Sequence, residues 1–152
     1  MAAEFLRNDV QLVAAGAPVA LDTAIACNRG YVYHRPESGI LTLRGIVNCP
    51  TACFATYQVT FNGNIAVPTD GTAGPISVSL AIDGEAIPTS RAIVTPAAVD
   101  EYFNVTSTAI IRIPRGCCFN VSVENTSTGA TAADPSPAIN VQNANLVVSR
   151  IA

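Results

Sequence analysis

Short alternating segments separated by turn residues run through the whole chain, and this pattern constrains the fold more than any other feature. In the clearest of them, Val78, Leu80 and Ile82 alternate with small side chains, which is the period of a strand with one buried face. Asp83 and Gly84 follow as a turn pair, because glycine adopts a positive φ without steric cost.

About ten or eleven such segments occur, at spacings of roughly 8–14 residues, with Gly, Pro, Asn and Asp between them. No segment sustains a helical period. The pattern predicts an all-β fold, an antiparallel jelly-roll sandwich of about ten strands. A chain of 152 residues suits one domain, so we expect residues 1–152 to form a single unit.

Two segments carry further expectations. The stretch from Cys53 to Ile65 is long, and Asn62-Gly63 within it suggests a tight turn. One face of this stretch is apolar: Ala55, Tyr57, Val59 and Phe61. Residues 143–152 keep their apolar pattern to the last residue, although a terminus normally frays unless a sheet holds it. We therefore expect the last strand to lie in the sheet interior, beside the N-terminal strand.

Composition excludes several classes of function. Only 12% of residues are charged, all eight basic residues are Arg, and the net charge is −3, which argues against a nucleic-acid partner. No apolar run approaches the roughly 20 residues that span a bilayer, and the first residues lack the pattern of a secretory signal. His34 is the only histidine, and no nucleophile or phosphate-binding motif accompanies it. We expect no enzyme activity, no cofactor and no membrane partner.

Five cysteines stand at positions 27, 49, 53, 117 and 118. A metal site is disfavoured, because the pairs lack Cys-x-x-Cys spacing and only one histidine is present. Two alternatives stay open: a disulfide between the 49–53 and 117–118 segments, or buried thiols that pack as small apolar groups. Both concern the same four residues, which are Cys49, Cys53, Cys117 and Cys118.

Three stretches of the sequence, at residues 78–90, 121–127 and 144–151, resemble the C-terminal head domain of collagen-like exosporium glycoproteins. Those heads belong to the TNF/C1q-like jelly rolls, and similar heads occur in phage fibres and capsid decorations. The resemblance covers roughly residues 55–152 and implies a homotrimer. Because aromatic side chains dominate buried contacts, we expect the threefold contact to involve Tyr57, Tyr102 and Phe103.

The chain departs from those heads in lacking a Gly-X-Y stalk and in carrying five cysteines. We therefore expect a structural component of a phage virion, a capsid decoration or a fibre part, located on a particle assembled inside the cell. The alternatives are a spore or cell-surface head and a receptor- or glycan-binding head. Residues 1–9, with Phe5 and Leu6, could be an arm that anchors the trimer to a capsid or other particle protein. The alternative is that the N-terminal residues pair inside their own sandwich.

Overall fold

The computed structural model describes residues 1–26, 30–129 and 135–152, and in these residues it contains twelve strands and one short 3-10 helix, Pro88–Ser90. None of the helical structure described could cross a membrane. The strands are β1 Ala2–Arg7, β2 Gln11–Val13, β3 Thr23–Ala26, β4 Val32–His34, β5 Leu41–Arg44, β6 Phe54–Ala66, β7 Ile76–Ile82, β8 Glu85–Ala86, β9 Ala92–Val94, β10 Phe103–Pro114, β11 Cys118–Asn125 and β12 Ile139–Arg150.

The strands form two antiparallel sheets of six strands each, which confirms the predicted all-β sandwich. Sheet 1 has the order β10-β6-β12-β1-β3, with β2 also paired to β12. Sheet 2 has the order β4-β5-β11-β7-β8, with β9 also paired to β7. The apolar residues between the sheets form one core to which both sheets contribute.

The last strand lies in the middle of sheet 1, as the sequence predicted. β12 pairs with β6 on one side and with β1 and β2 on the other. Leu146 stands opposite Phe61 of β6 and Phe5 of β1, and all three side chains are buried. Between β2 and β1 the register of β12 shifts at Asn143, which has a φ of 53°. This bulge lets β12 keep its apolar residues on the core side along its whole length.

The anchoring arm expected at residues 1–9 is wrong. β1 lies between β12 and β3, so its main-chain groups are paired on both sides. Phe5 points into the core, and Leu6 is half-buried on the opposite face of the sheet. Because β1 is paired on both sides and Phe5 is buried, β1 has no free edge to which a strand of another protein could pair. The alternative, pairing within the chain's own sandwich, is what the structure has.

The tight turn expected at Asn62-Gly63 is also wrong, because β6 continues through both residues. The glycine is needed for packing rather than for a turn. A Cβ at Gly63 would lie 2.8 Å from the ring of Phe61, two residues earlier on the same face. The Phe61 ring therefore occupies the space that any larger residue at position 63 would need.

The turn predicted after β7 is present. Asp83 and Gly84 have φ values of 51° and 83°, and they connect β7 to β8. Positive φ at both central residues is the geometry of a type I′ hairpin turn.

Candidate assembly surface

The outer face of sheet 1 has a distinctive chemistry. Along β6, β10 and β12 the core-facing residues alternate with residues that face outward. We call twelve of these outward residues the polar face; they are Thr56, Gln58, Thr60, Asn62, Asn64, Asn104, Thr106, Thr108, Gln142, Asn145, Val147 and Ser149. All but Val147 are uncharged polar residues. Phe54, Ile110 and Arg112 also face outward on β6 and β10 and adjoin them.

Hydrogen bonds between neighbouring strands hold these side chains in place. The cross-strand bonds join Asn104 Nδ2 to Asn64 Oδ1 at 3.1 Å, Thr106 Oγ1 to Asn62 Oδ1 at 3.1 Å, and Thr60 Oγ1 to Thr108 Oγ1 at 3.0 Å. The bonded groups of these six side chains have partners within the protomer, so they lose less when a second protein surface excludes water. They have also already lost much of their rotamer freedom, which lowers the entropic cost of binding.

Only two charged residues lie at the margins of this face in the paired strands, and both are engaged. Glu4 accepts a hydrogen bond from Asn145 Nδ2 at 2.8 Å. The guanidinium of Arg112 lies 4.2 Å from the centre of the Phe54 ring. Because both charges have partners within the protomer, neither repels a second copy strongly.

Four large apolar side chains are exposed on the same face. Ile110 on β10 is paired with Gln58, Leu12 on β2 with Asn140, and Ile25 on β3 with Glu4. The fourth is Phe54, at the start of β6, and all four are exposed in the protomer. Exposed large aliphatic groups around a flat, uncharged surface are typical of a surface that contacts another subunit.

The residues predicted for the threefold contact fall into two groups. Tyr57 is wrong as a contact residue, because its side chain is 0% exposed in the protomer core. Its hydroxyl donates a hydrogen bond to the Arg44 carbonyl at 2.6 Å, and burial raises its pKa above the usual value. Tyr102 and Phe103 are 37% and 38% exposed at the start of edge strand β10. Their side chains are free to contact another subunit, so their role stays a prediction.

His34 has a structural environment. Its Nε2 lies 2.9 Å from the Ser38 carbonyl, to which it donates when protonated at that nitrogen. Its ring packs against the Phe5 ring with a centroid distance of 4.9 Å. Across residues 1–26, 30–129 and 135–152, no three His, Cys, Asp or Glu side chains are placed to hold a metal ion.

The four cysteines of the sequence prediction are free thiols, and all four are exposed. The alternative of buried thiols is therefore wrong, and the structure has no disulfide among them. The residues do lie close together in the fold, because the 45–53 loop and the β10–β11 turn are hydrogen-bonded to each other. Cys27 lies outside the described residues.

A cavity of about 430 Å³ lies at the opposite end of the sandwich. Residues 68, 70–75, 128–129 and 135–138 line it, and most of these are Pro, Gly, Ala or Thr. Asp70 is the single charged side chain among them. Among the described residues, this lining lacks the convergent polar groups that a catalytic or small-molecule site requires.

The strand order and the pairing of both sheets can now be compared with known proteins. No protein-family model matches the chain, and no curated protein matches its sequence. Solved structures do match. The Eiger TNF from S. frugiperda is 14% identical, with a TM-score of 0.65 over 100% of this chain and 92% of that chain. The globular domain of zebrafish complement 1qA protein is also 14% identical, with a TM-score of 0.57 over 99% and 97%.

The chain has the TNF/C1q-like jelly-roll fold. At this identity the likeness shows the fold alone, and it confirms the jelly-roll fold that the resemblance of the strand and turn motifs implied. The TNF/C1q-like assignment extends beyond residues 55–152, because the matches cover nearly the whole chain and include β1 to β5.

The sequence analysis missed the polar face as a candidate surface. The signal was present, because the outward residues of β6 are Thr, Gln, Thr, Asn and Asn at every second position from 56 to 64. Strand alternation identified the apolar face of this segment, but the polar residues on the opposite face were not considered as a contact surface. The aromatic residues were favoured instead, and Tyr57 belonged to the apolar face.

Proposed function

We propose that this TNF/C1q-like chain is a non-enzymatic structural head domain that assembles as a homotrimer through the polar face of sheet 1. The observation that carries the proposal is the outer face of sheet 1, on which three pairs of uncharged side chains are already hydrogen-bonded and whose edges expose Ile110, Leu12 and Ile25. Self-association also agrees with the trimeric assembly of proteins with this fold.

A charge placed on the polar face tests the assembly. Gln58 is exposed at the centre of β6, between Ile110 and Ser149. We expect the wild-type protein to have three times the 15.7 kDa protomer mass in light scattering at micromolar concentration. Gln58→Arg places an unpaired charge in the contact, which costs several kcal/mol when buried, so it should release folded protomers.

Ile93→Arg is the matched control, because Ile93 is also exposed but lies on β9 of sheet 2. This variant should keep the trimer mass. A wild-type protein that is monomeric at micromolar concentration would refute the homotrimer. A Gln58→Arg protein that remains trimeric would show that another surface forms the contact.

We further propose that the trimer decorates or forms part of a phage virion, and that it works on the surface of the particle. Two observations support this proposal. Three sequence stretches resemble head domains of a kind that occurs on phage fibres and capsids, and only 12% of the residues are charged. Because β1 is held inside sheet 1, attachment must use loops or sheet faces rather than an N-terminal strand.

Sedimentation tests the particle proposal. Purified protein is mixed with phage particles of the strain that carries the gene, and the pellet is assayed for the chain. Wild-type protein and Ile93→Arg should both sediment with the particles. Gln58→Arg should sediment less, because a monomer loses the avidity of three attachment points. Absence of wild-type protein from the pellet would contradict the virion role.

A receptor- or glycan-binding head is the second candidate, and one observation favours it. Tyr102 and Phe103 are adjacent exposed aromatic residues, and the loop that precedes them contacts the 66–75 loop through the bond from Asp100 N–H to the Val67 carbonyl at 2.8 Å. Aromatic platforms are common in carbohydrate recognition. Binding to a glycan array that Tyr102→Ala abolishes would support this role, and no binding by the trimer would argue against it.

A further inference from the structure

Four exposed thiols lie on two loops that the fold joins at one end of the sandwich. Cys49 and Cys53 belong to the loop before β6, and Cys117 and Cys118 lie at the start of β11. We call these four residues the thiol cluster.

The backbone fixes the two loops against each other. The N–H of Arg115 donates to the Cys53 carbonyl at 2.8 Å, and the N–H of Gly45 donates to the Cys117 carbonyl at 2.8 Å. Gly116 donates back to Gly45 at 3.0 Å. A Cβ at Gly45 would lie only 2.1 Å from the Pro114 carbonyl oxygen, so the loops approach as closely as glycine allows. The cluster is therefore a fixed feature of the fold.

Cys49 differs from the other three thiols in its surroundings. Its Sγ lies 3.2 Å from Thr51 Oγ1, which can donate a hydrogen bond to the thiolate. The guanidinium of Arg115 is held in the same loop by its bond to the Pro50 carbonyl at 3.0 Å. The hydrogen bonds of Thr51, and to a smaller extent the charge of Arg115, lower the pKa of the Cys49 thiol. An exposed thiol with this environment is a reactive one.

Cys53 is placed to react with a modified Cys49. The N–H of Ala52 donates to the Cys49 carbonyl at 3.2 Å, which closes a turn with Pro50 at its second position. The two ends of this turn, Cys49 and Ala52, have Cα atoms within about 7 Å of each other. Cys53 is the next residue, and a disulfide with Cys49 requires the exposed loop to bring these two Cα atoms to about 4.4–6.8 Å.

We propose that the thiol cluster is a reversible redox-modification site, in which Cys49 attacks a low-molecular-weight disulfide and Cys53 resolves the product. In the first step the Cys49 thiolate bonds to one sulfur of the small disulfide, and the other sulfur leaves as a thiolate. In the second step the Cys53 thiolate, after losing its proton to solvent, attacks Cys49 Sγ and displaces the second small thiolate. Two protein thiols are oxidised and one small disulfide is reduced to two thiols.

The test uses the reduced full-length protein and oxidised glutathione as the probe. After reaction, we expect the wild type to lose two titratable thiols and to yield, by peptide mass mapping, a disulfide between Cys49 and Cys53. Cys53→Ser should stop at the first step and retain one glutathionyl group on Cys49. Cys49→Ser should form neither product, whereas the matched control Cys118→Ser should behave like the wild type.

Arg115→Gln tests whether the reactivity of Cys49 depends on its lowered pKa or only on its exposure. Loss of the charge lowers the thiolate fraction of Cys49 at pH 7, while the remaining thiolate becomes more nucleophilic. At pH 7 these two effects partly cancel, so we expect the rate to fall by less than the thiolate fraction does, and at a pH where the thiol is fully ionised in both proteins Arg115→Gln should react somewhat faster than the wild type. Labelling of Cys118 with iodoacetamide in the same sample is the internal reference.

Three results would overturn the proposal. One is equal labelling rates for Cys49 and Cys118 in the wild type. Another is a mapped disulfide that does not contain Cys49, and the third is oxidation that only links separate protomers. Circular dichroism of each variant checks that the fold is retained, which is expected because all four thiols are exposed.

Discussion

Leu146→Ala tests whether the last strand, β12, is packed against the core in the centre of sheet 1. The Leu146 side chain is 0% exposed and faces the core between the neighbouring strands of Phe5 and Phe61. Removing a fully buried leucine side chain costs about 2–5 kcal/mol, and the cost is highest where the surroundings cannot collapse into the cavity. Two hydrogen-bonded neighbours hold β12 in position, so we expect about 3–5 kcal/mol.

That loss is large against the stability of a domain of this size, which is about 5–15 kcal/mol. Each kcal/mol lowers the melting temperature of such a domain by about 2–4 °C, so the expected decrease is about 6–20 °C. Urea unfolding followed by circular dichroism gives the free energy. Both proteins are compared at one protomer concentration, because association adds stability that depends on concentration.

Ile93→Ala is the control for Leu146→Ala, since Ile93 is 58% exposed on β9. It should change the free energy of unfolding by no more than about 0.5 kcal/mol. A change below about 1 kcal/mol for Leu146→Ala would refute the central position of β12 in a packed sheet. A large change for both variants would indicate that Ile93 is buried against another subunit.

Three further substitutions have defined outcomes. Gly63→Ala should destabilise the fold by about 1–3 kcal/mol in urea unfolding, because its methyl group competes with the Phe61 ring for the same space. Burial raises the pKa of Glu124, because burial disfavours the charged carboxylate. The fold therefore favours the protonated side chain, and the free energy of unfolding decreases as the pH rises through the folded-state pKa. Glu124→Gln should therefore raise the urea midpoint at pH 7 and leave it unchanged at pH 3. His34→Ala should cost about 1–2 kcal/mol, from the lost bond to the Ser38 carbonyl and the lost ring contact, and should leave the trimer mass unchanged.

Local alternation was a reliable guide to most strands. It predicted the core face of β6, the turn at Asp83 and Gly84, and the interior position of β12. The resemblance of the later strands to known heads gave the TNF/C1q-like fold. Each of these inferences depends on residues that are close in sequence, or on a terminus whose apolar pattern requires a neighbour on each side.

Strand boundaries were less predictable. Residues 99–113 alternate without a clear boundary, and the structure has one strand there, β10, from Phe103 to Pro114. Residues 18–21 are largely apolar, yet the structure has only an isolated bridge there, between Pro18 and Glu124. Both regions have the same local composition as true strands, and only the partner strand decides where the ladder begins and ends.

Burial of small polar residues also depended on distant segments. Ser77 and Ser79 lie on the face of β7 that the alternation assigned to solvent, yet both are buried. Thr126, almost 50 residues later, bonds to both hydroxyls at 3.0 Å, and Arg91 Nε donates to Ser77 Oγ at 3.0 Å. A serine pattern alone does not reveal that another segment covers it.

By itself, the sequence determined the period of the strands, the core side of most of them and the fold class, because these follow from contacts between residues one or two positions apart. Only the tertiary structure decided that β1 is paired on both sides and that the loops of Cys49 and Cys117 meet. Those facts depend on pairings between segments tens of residues apart. Such pairings are chosen by the free energy of the whole sandwich, and no local pattern in the chain encodes them.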